Sequence, residues 1–518
     1  MRMLFITSRV LVGIASAVLL SACASIDFDY PRTTSTAYTD TDDTRLARAL
    51  VDDVADKAAD QAGFYPMSDG IDALAIRLLL AERAERSIDT QYYLIKNDLV
   101  GRAFIRALLR AADRGVRVRL LLDDIFTGGY DTGMMALDHH PNFEIRIYNP
   151  FNRGAVGRTL GAATSLRRVN RRMHNKTFTA DNQVTIIGGR NIADEYFGAR
   201  EDAKFGDLDV VGIGPIVQEV SATFDAYWNH ETALPVPAFL KPLEDPDAAL
   251  NALRDRLEAD LQAILDSKYA AAVRDRILEQ IETDSDAFEW ATYTLAVDSP
   301  DKGIKGKAAE EDLITTPLRE ALLAAEHEII VISPYFVPLK SGIEGFSSVQ
   351  ASGVDISIIT NSLAANNQAS VHGGYAPARK PLLSTGIKMY ELRPDAEVLG
   401  TEYIDASNAR ATLHTKAFIV DRERTFIGSF NFDPRSANLN PEMGVIIDDP
   451  ALARFFAERI DEALPTQAWE VYLNEDGKIR WLGHEGGEIV IHDKEPKTSW
   501  GQRFMAGFYR ILPIRSQL

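Results

Sequence analysis

Residues 173–181 read MHNKTFTAD and residues 413–421 read LHTKAFIVD. Each stretch carries His-x-Lys, four further residues and Asp, and the pattern continues at fixed spacing. After six more residues come Gly188-Gly189 or Gly428-Ser429, then one residue, then Asn191 or Asn431. The copies lie 240 residues apart, and two Gly-Val steps that open buried runs, at Gly115 and Gly353, lie 238 apart. So constant an offset marks an internal duplication. Around the copies the chain alternates helix-like and strand-like segments: IDALAIRLLLAERAERS, SIDTQYYLI, LVGRAFIRALLRAADRG and VRVRLLLDD in the first part, LREALLAAEHE, IIVISPYFV and VDISIITNS in the second. That order predicts an α/β chain of two duplicated α/β/α halves.

In both copies the residues around His-x-Lys are apolar or β-branched, which predicts a strand. Its period of two puts His174 with Lys176, and His414 with Lys416, on one face. A turn at the Asp and a return strand then bring small residues and an Asn alongside. An imidazole, an ammonium and an amide beside an open patch suit phosphoryl chemistry. Lys neutralises non-bridging oxygens, Asn191 and Asn431 donate to them, and one histidine attacks phosphorus. A second histidine protonates the leaving oxygen and deprotonates the next nucleophile. One copy holds one histidine, so two copies facing each other across a pseudo-twofold make one site. Asp181 and Asp421, at the turns, are expected to be structural carboxylates. His139 and His140, beside Pro141, form no constellation. A lysine two residues from each histidine would repel a divalent cation and supplies its charge, so neither metal nor cofactor is expected.

The chain has 518 residues, 46% hydrophobic and 25% charged, with a formal net charge of -19. It is long enough for more than one domain. Its acidity argues against a polyphosphate backbone as ligand, which needs a basic face. Arg2 and Arg9 precede an apolar run from Val10 to Leu20, too short to span a bilayer and fit for a secretory signal. The sole cysteine, Cys23, ends Leu20-Ser21-Ala22-Cys23. That stretch resembles a bacterial lipoprotein cleavage box, which predicts acylation of Cys23 and a lipid-anchored, periplasm-facing protein of the cell envelope, with Ala24 pointing to the outer membrane. The expected organisation is a signal over 1–22, a tether over 23–60 and a first half over 61–235. A helical connector with a flexible KGIKGK loop follows over 236–310, then a second half over 311–460 and an extension packed on it over 461–518.

HNKTFTADNQVTIIGGRN and HTKAFIVDRERTFIGSFN are similar to the paired HxKxxxxD motifs of the phospholipase D superfamily. The resemblance implies one active site at the interface of the halves, with His174 as nucleophile and His414 as general acid and base. It also implies a carboxylate downstream of each motif that orients the histidine: Asp209 in GDLDVVGIGP, with Asp207 as its neighbour, and Glu442 in NPEMGVII. Longer stretches, among them GFYPMSDGIDALAIRLLLAERAERSIDTQYYLIKND, TNSLAANNQASVHGGYAPARKPLL and GSFNFDPRSANLNPEMG, resemble the bacterial cardiolipin synthase C type over roughly residues 60–518. That type implies transfer of a phosphatidyl group from phosphatidylethanolamine to phosphatidylglycerol, with phospholipids and a membrane surface as partners and no nucleic acid. Tyr92 and His372 fall in these stretches, as candidates for the headgroup side. Hydrolysis to phosphatidic acid uses the same covalent step and stays open beside transfer, with a nuclease or a non-catalytic lipid binder behind it. RRVNRR at 167–172 is a candidate attraction for anionic headgroups.

Overall fold

Leu120 and Leu122 point one way from their strand and Leu121 the other, and all three are buried. A strand that is apolar on both sides needs a layer on each face. The computed structural model supplies both layers, and it describes residues 26–153, 168, 170–263, 265–282, 287–304, 308–398 and 409–518. The first part contains β1 (Gln61–Met67), β2 (Ser87–Tyr92), β3 (Arg117–Asp123), β4 (Phe143–Tyr148), β5 (Thr177–Ala180), β6 (Val184–Gly188), β7 (Ala203–Gly206), β8 (Asp209–Ile213) and β9 (Ala233–Pro235). The second contains β10 (Glu289–Val297), β11 (Glu328–Ile332), β12 (Asp355–Asn361), β13 (Lys388–Leu392), β14 (Arg410–Leu413), β15 (Ala417–Val420), β16 (Arg424–Gly428), β17 (Met443–Asp448) and β18 (Ala468–Leu473). A hairpin of β19 (Ile479–Glu485) and β20 (Glu488–His492) follows.

In pairing order one continuous sheet runs β9-β4-β3-β2-β5-β6-β8-β1, then β10-β17-β16-β15-β11-β12-β13-β18. The second series repeats the first in reverse, strand for strand, with β2-β3-β4 and β11-β12-β13 the parallel sets. The halves meet where β1 and β10 pair antiparallel, Gln61 opposite Thr292 and Phe64 opposite Glu289. Ala62, Phe64, Ile187 and Val210 pack with Ile427, Met443 and Val445 in one core shared by both halves. On one face of the first half lie the helices Gly70–Arg83 and Leu99–Asp113, capped by Asp69 and Asp98. Pro215–Trp228 covers the other face, burying Leu121 beneath Phe224 and Trp228. Pro450–Gln467 does the same for Ile330 and Ile419 in the second half.

Three expectations change. The stretch 236–310 does hold connector helices, Pro246–Gln262 and Lys268–Glu282, both packed on the first half. Its later part, however, is β10, the counterpart of β1, because EWATYTLAV alternates and completes the second half's sheet. In the KGIKGK loop Lys302 is buried, its Nζ donating to Asp298 Oδ2 at 2.7 Å; Lys305–Lys307 lie outside the described residues. The described part of the tether is laid against the first half, with Arg119 donating to Ser35 O at 2.9 Å and Arg146 to Thr33 O at 2.6 Å. Cys23 and the signal lie outside the described residues, and among those described no helix is long and apolar enough to cross a membrane.

Candidate active site

The hairpins β5–β6 and β15–β16 turn through two residues with positive φ, Asp181-Asn182 and Asp421-Arg422. A two-residue turn of this kind matches the twist of the strands and tolerates Asp in the left-handed region. Each carboxylate collects three backbone amides, of Glu85, Arg86 and Ser87 at Asp181 and of Glu326, His327 and Glu328 at Asp421. The Asp of each motif therefore ties the hairpin to the neighbouring strand, away from the histidine.

His174 and His414 stand just ahead of β5 and β15, and each is held by the opposite half. His174 N–H donates to Pro441 O at 2.8 Å, and His174 Nδ1 lies 2.8 Å from Glu442 Oε2. His414 N–H donates to Gly206 O at 2.7 Å, and His414 Nδ1 lies 2.5 Å from Asp207 Oδ2. The parallel pair β7–β14 links the halves at that point. Asp207 and Glu442 are counterparts, since Gly188 pairs with Asp209 and Gly428 with Gly444, two residues on in each chain.

This corrects the assignment of Asp209 as an orienting carboxylate. Asp209 is engaged elsewhere: its Oδ2 accepts from Arg77 Nη2 at 2.7 Å and its Oδ1 from the Arg190 backbone at 3.1 Å. The role in the first half falls to Asp207, and both carboxylates serve the histidine across the interface. Gly189 has no room for a side chain there, because a Cβ would stand 2.2 Å from Asp207 Oδ1. At the matching position Ser429 Oγ donates to Glu442 Oε2 at 2.5 Å. Asp209→Asn leaves two buried guanidinium groups short of a counter-charge, and we expect it to lower stability by about 3 kcal/mol. Urea unfolding checks this; an unchanged midpoint would contradict it.

Sequence reasoning missed the support of Glu442. Ser436 Oγ donates to Glu442 Oε1 at 2.6 Å, and the Glu442 backbone donates to Asp298 Oδ2 at 2.9 Å. Lys302, already bonded to Asp298, also donates to Ser436 O at 2.6 Å. It missed the aromatic walls as well: Tyr93 packs edge-on to His174 at 4.9 Å, Tyr196 edge-on to His414 at 4.9 Å, and Phe205 stacks on His414 at 5.8 Å. Tyr92, one residue from Tyr93, faces the core and bonds Arg77. His372 is buried, with Glu495 and Arg379 on its Nε2. In RRVNRR, Arg168, Arg171 and Arg172 donate to backbone carbonyls, and Arg172 pairs with Asp123. They are bound within the fold and form no free basic patch.

Lys176 and Lys416 are buried, and each donates to the carbonyl of its own histidine. Lys416 Nζ also lies 3.1 Å from His414 Nε2. Asn191 Nδ2 donates to Tyr196 Oη at 3.0 Å, the Asn431 backbone donates to Ser436 Oγ at 3.2 Å, and both Oδ1 atoms are buried without a partner. Asn191 thus stands on the His414 side and Asn431 on the His174 side.

Burial pushes the imidazoles down, His414 to about 3 with help from Lys416, so both rings are neutral at rest. Burial would raise the two carboxylates, but the neighbouring histidines and lysines hold Asp207 and Glu442 below their ordinary range. Each ionised carboxylate therefore keeps the proton on Nδ1 and leaves an electron pair on Nε2, the one on His414 facing Lys416 Nζ at 3.1 Å. Burial lowers Lys176 to about 7 and Lys416 to about 8. An ammonium is lost above its pKa, so kcat/KM falls as pH rises through about 7–8, while bound phosphate keeps both lysines charged and spares kcat. A pH profile of both constants checks this; a kcat/KM level to pH 10 would contradict it.

Tyr93 also borders a cavity of about 350 Å³ between β3, β4 and the connector helix Pro246–Gln262, walled by Ile105, Leu120, Leu137, Ile145, Leu253 and Leu257.

The family model described as "Cardiolipin synthase, PLD-like domain" matches residues 79–228 and 318–464, once in each half. Cardiolipin synthase C of Escherichia coli (strain K12) is 40% identical over 91% of this chain and 99% of its own. An uncharacterised protein of Helicobacter pylori (strain ATCC 700392 / 26695) is 32% identical over 87% of this chain and 88% of its own. Among solved structures, phosphatidylserine synthase of Haemophilus influenzae Rd KW20 superposes with a TM-score of 0.53 over 82% of this chain and 91% of that one, at 13% identity, a likeness of fold.

Proposed function

Because the chain belongs to the phospholipase D-like cardiolipin synthase family, we propose that it makes cardiolipin by moving a phosphatidyl group from phosphatidylethanolamine to phosphatidylglycerol. The observation that carries this reading is the pair of neutral histidines, each fixed at Nδ1 by a carboxylate of the other half. The Nε2 electron pair of one histidine attacks the donor phosphorus, and the bond from phosphorus to the ethanolamine oxygen breaks. The second histidine takes up a proton at Nε2 as the anionic donor phosphate binds beside it, and as imidazolium it passes that proton to the leaving oxygen. The acceptor's glycerol hydroxyl then returns a proton to the second histidine as its oxygen attacks phosphorus, the N–P bond breaks, and cardiolipin leaves. Lys176, Lys416, Asn191 and Asn431 are assigned to the phosphate oxygens throughout. The family resemblance makes His174 the nucleophile and His414 the acid and base.

The apolar cavity beside Tyr93 suits an acyl chain, and Arg168, Arg171 and Arg172 of RRVNRR are engaged within the fold, Arg167 lying outside the described residues, which argues for a lipid over a nucleic acid. Labelled phosphatidylethanolamine, incubated with and without phosphatidylglycerol, gives labelled cardiolipin only when both are present. Phosphatidic acid formed equally in both reactions would make the protein a hydrolase. We also propose that Cys23 is acylated and anchors the protein in the cell envelope, facing the periplasm, on the strength of the Leu20-Ser21-Ala22-Cys23 stretch. Labelled fatty acid then enters the protein in cells and is absent from Cys23→Ser; equal labelling of the two would refute the anchor.

A further inference from the structure

The helix Trp500–Ile511 has two faces with different surroundings. Ala506 is buried, and a Cβ at Gly373 would come within 2.8 Å of Ala506 O and 2.9 Å of Tyr509 Cβ. That face is pressed on the helix Ala369–Tyr375. On the opposite face Trp500, Phe504, Phe508 and Ile511 are 72%, 56%, 44% and 77% exposed. Spacings of four, four and three residues align them in one stripe, and Trp500 stacks on Phe504 at 5.2 Å. With Met505, this helix carries five of the fifteen large exposed hydrophobic residues among the described residues, which sets it apart from scattered surface apolar groups. Arg503 and Arg510 flank the stripe on one side.

The segment that follows is tied to the active site. Leu518 O accepts from the Arg435 backbone at 3.0 Å, and Gln517 Oε1 accepts from Asn170 Nδ2 at 2.6 Å. Arg435 belongs to the helix Pro434–Asn438, whose Ser436 holds Glu442, and Asn170 lies four residues before His174. The amphipathic helix is thus braced against both segments that build the His174 side.

We propose that this helix lies in the headgroup layer of a phospholipid bilayer, its aromatic stripe toward the acyl chains, and so holds the active site at the surface that carries its substrates. The inference rests on the reading that those substrates are bilayer phospholipids. Tryptophan and phenylalanine on one face, with arginine at the polar margin, are the chemistry of an interfacial helix. With a net charge of -19, the chain as a whole is repelled by anionic lipid. Attraction therefore comes from the apolar stripe and the local arginines.

The test mixes the purified full chain with vesicles of phosphatidylethanolamine and phosphatidylglycerol that carry bromine on their acyl chains. Of the five tryptophans, Trp228, Trp469 and Trp481 are buried, and Trp290 is half-buried at the β1–β10 seam with Lys57 over its ring, so tryptophan quenching by the bromines is expected to arise at Trp500 and to vanish in Trp500→Phe. The double variant Phe504→Ser/Phe508→Ser is expected to lose about tenfold or more of the turnover on vesicles. Turnover on monomeric short-chain lipid stays at the parent rate. Quenching that survives Trp500→Phe, or vesicles that quench nothing, would overturn the proposal. So would a dimer, seen by analytical ultracentrifugation, that the double variant splits while vesicles have no effect; the stripe would then belong to a second copy. Failure of the unmodified protein on monomeric lipid as well would count against the transferase reading, and quenching still decides the placement of the helix.

Discussion

Alanine at His174 and alanine at His414 should each lower turnover by about 10⁴-fold or more, and the double variant should be no slower than the slower single one. The two imidazoles carry consecutive steps of one reaction, so removing either stops the cycle. Two independent sites would respond differently, with each single variant keeping about half the rate. The cross-bracing of the site argues for the first outcome, because His174 is held by Pro441 and Glu442 and His414 by Gly206 and Asp207. Neither half has a complete pair of histidine and carboxylate. Steady-state rates of the three variants, measured with circular dichroism to confirm folding, decide it. A half-rate in either single variant would contradict a shared site.

Glu442→Gln and Asp207→Asn should each cost about 10³–10⁴-fold in kcat, the scale seen when a carboxylate that sets a histidine tautomer becomes an amide. The amide NH₂ would donate to Nδ1, push the ring proton to Nε2 and occupy the electron pair that the chemistry needs. The two losses fall on different steps. With an aryl ester of the phosphatidyl group, whose leaving oxygen needs no proton, Asp207→Asn still gives a rapid burst of aryl alcohol and then stalls, because His414 cannot activate the acceptor. Glu442→Gln gives no burst, because His174 cannot attack. Rapid-mixing absorbance reads both. If each carboxylate served the histidine of its own half, the two behaviours would exchange.

The duplicated halves were legible because the hairpin is local: His, Lys, the turn Asp and the Asn sit at spacings fixed by strand period and turn length. The turn Asp could be read as structural for the same reason. The exchange of carboxylates could not, since it joins residues 268 and 207 positions apart through the packing of the halves. The choice between Asp207 and Asp209 was within reach. Set against PEMGVI, GDLDVV aligns Asp207 with Glu442 and Asp209 with Gly444, which has no carboxylate to offer, and in the fold Arg77 and Arg190 claim Asp209. β10 was hidden by its charged helical neighbours, although EWATYTLAV alternates as a strand should. Lys302 was hidden by the glycines around it, which suggest a loop whatever its lysine does. Of the two adjacent tyrosines, only the fold shows that Tyr93 reaches His174 while Tyr92 turns to Arg77.

The most direct test of one site shared by two halves is the stoichiometry of the covalent intermediate. The labelled aryl ester of the phosphatidyl group is mixed with Asp207→Asn, the reaction is quenched in neutral, acid-free denaturant that spares the N–P bond, and the protein is digested and mapped by mass spectrometry. A shared site predicts one phosphatidyl group per chain, on His174. Two groups per chain, on His174 and His414 together, or none on either histidine, would contradict it.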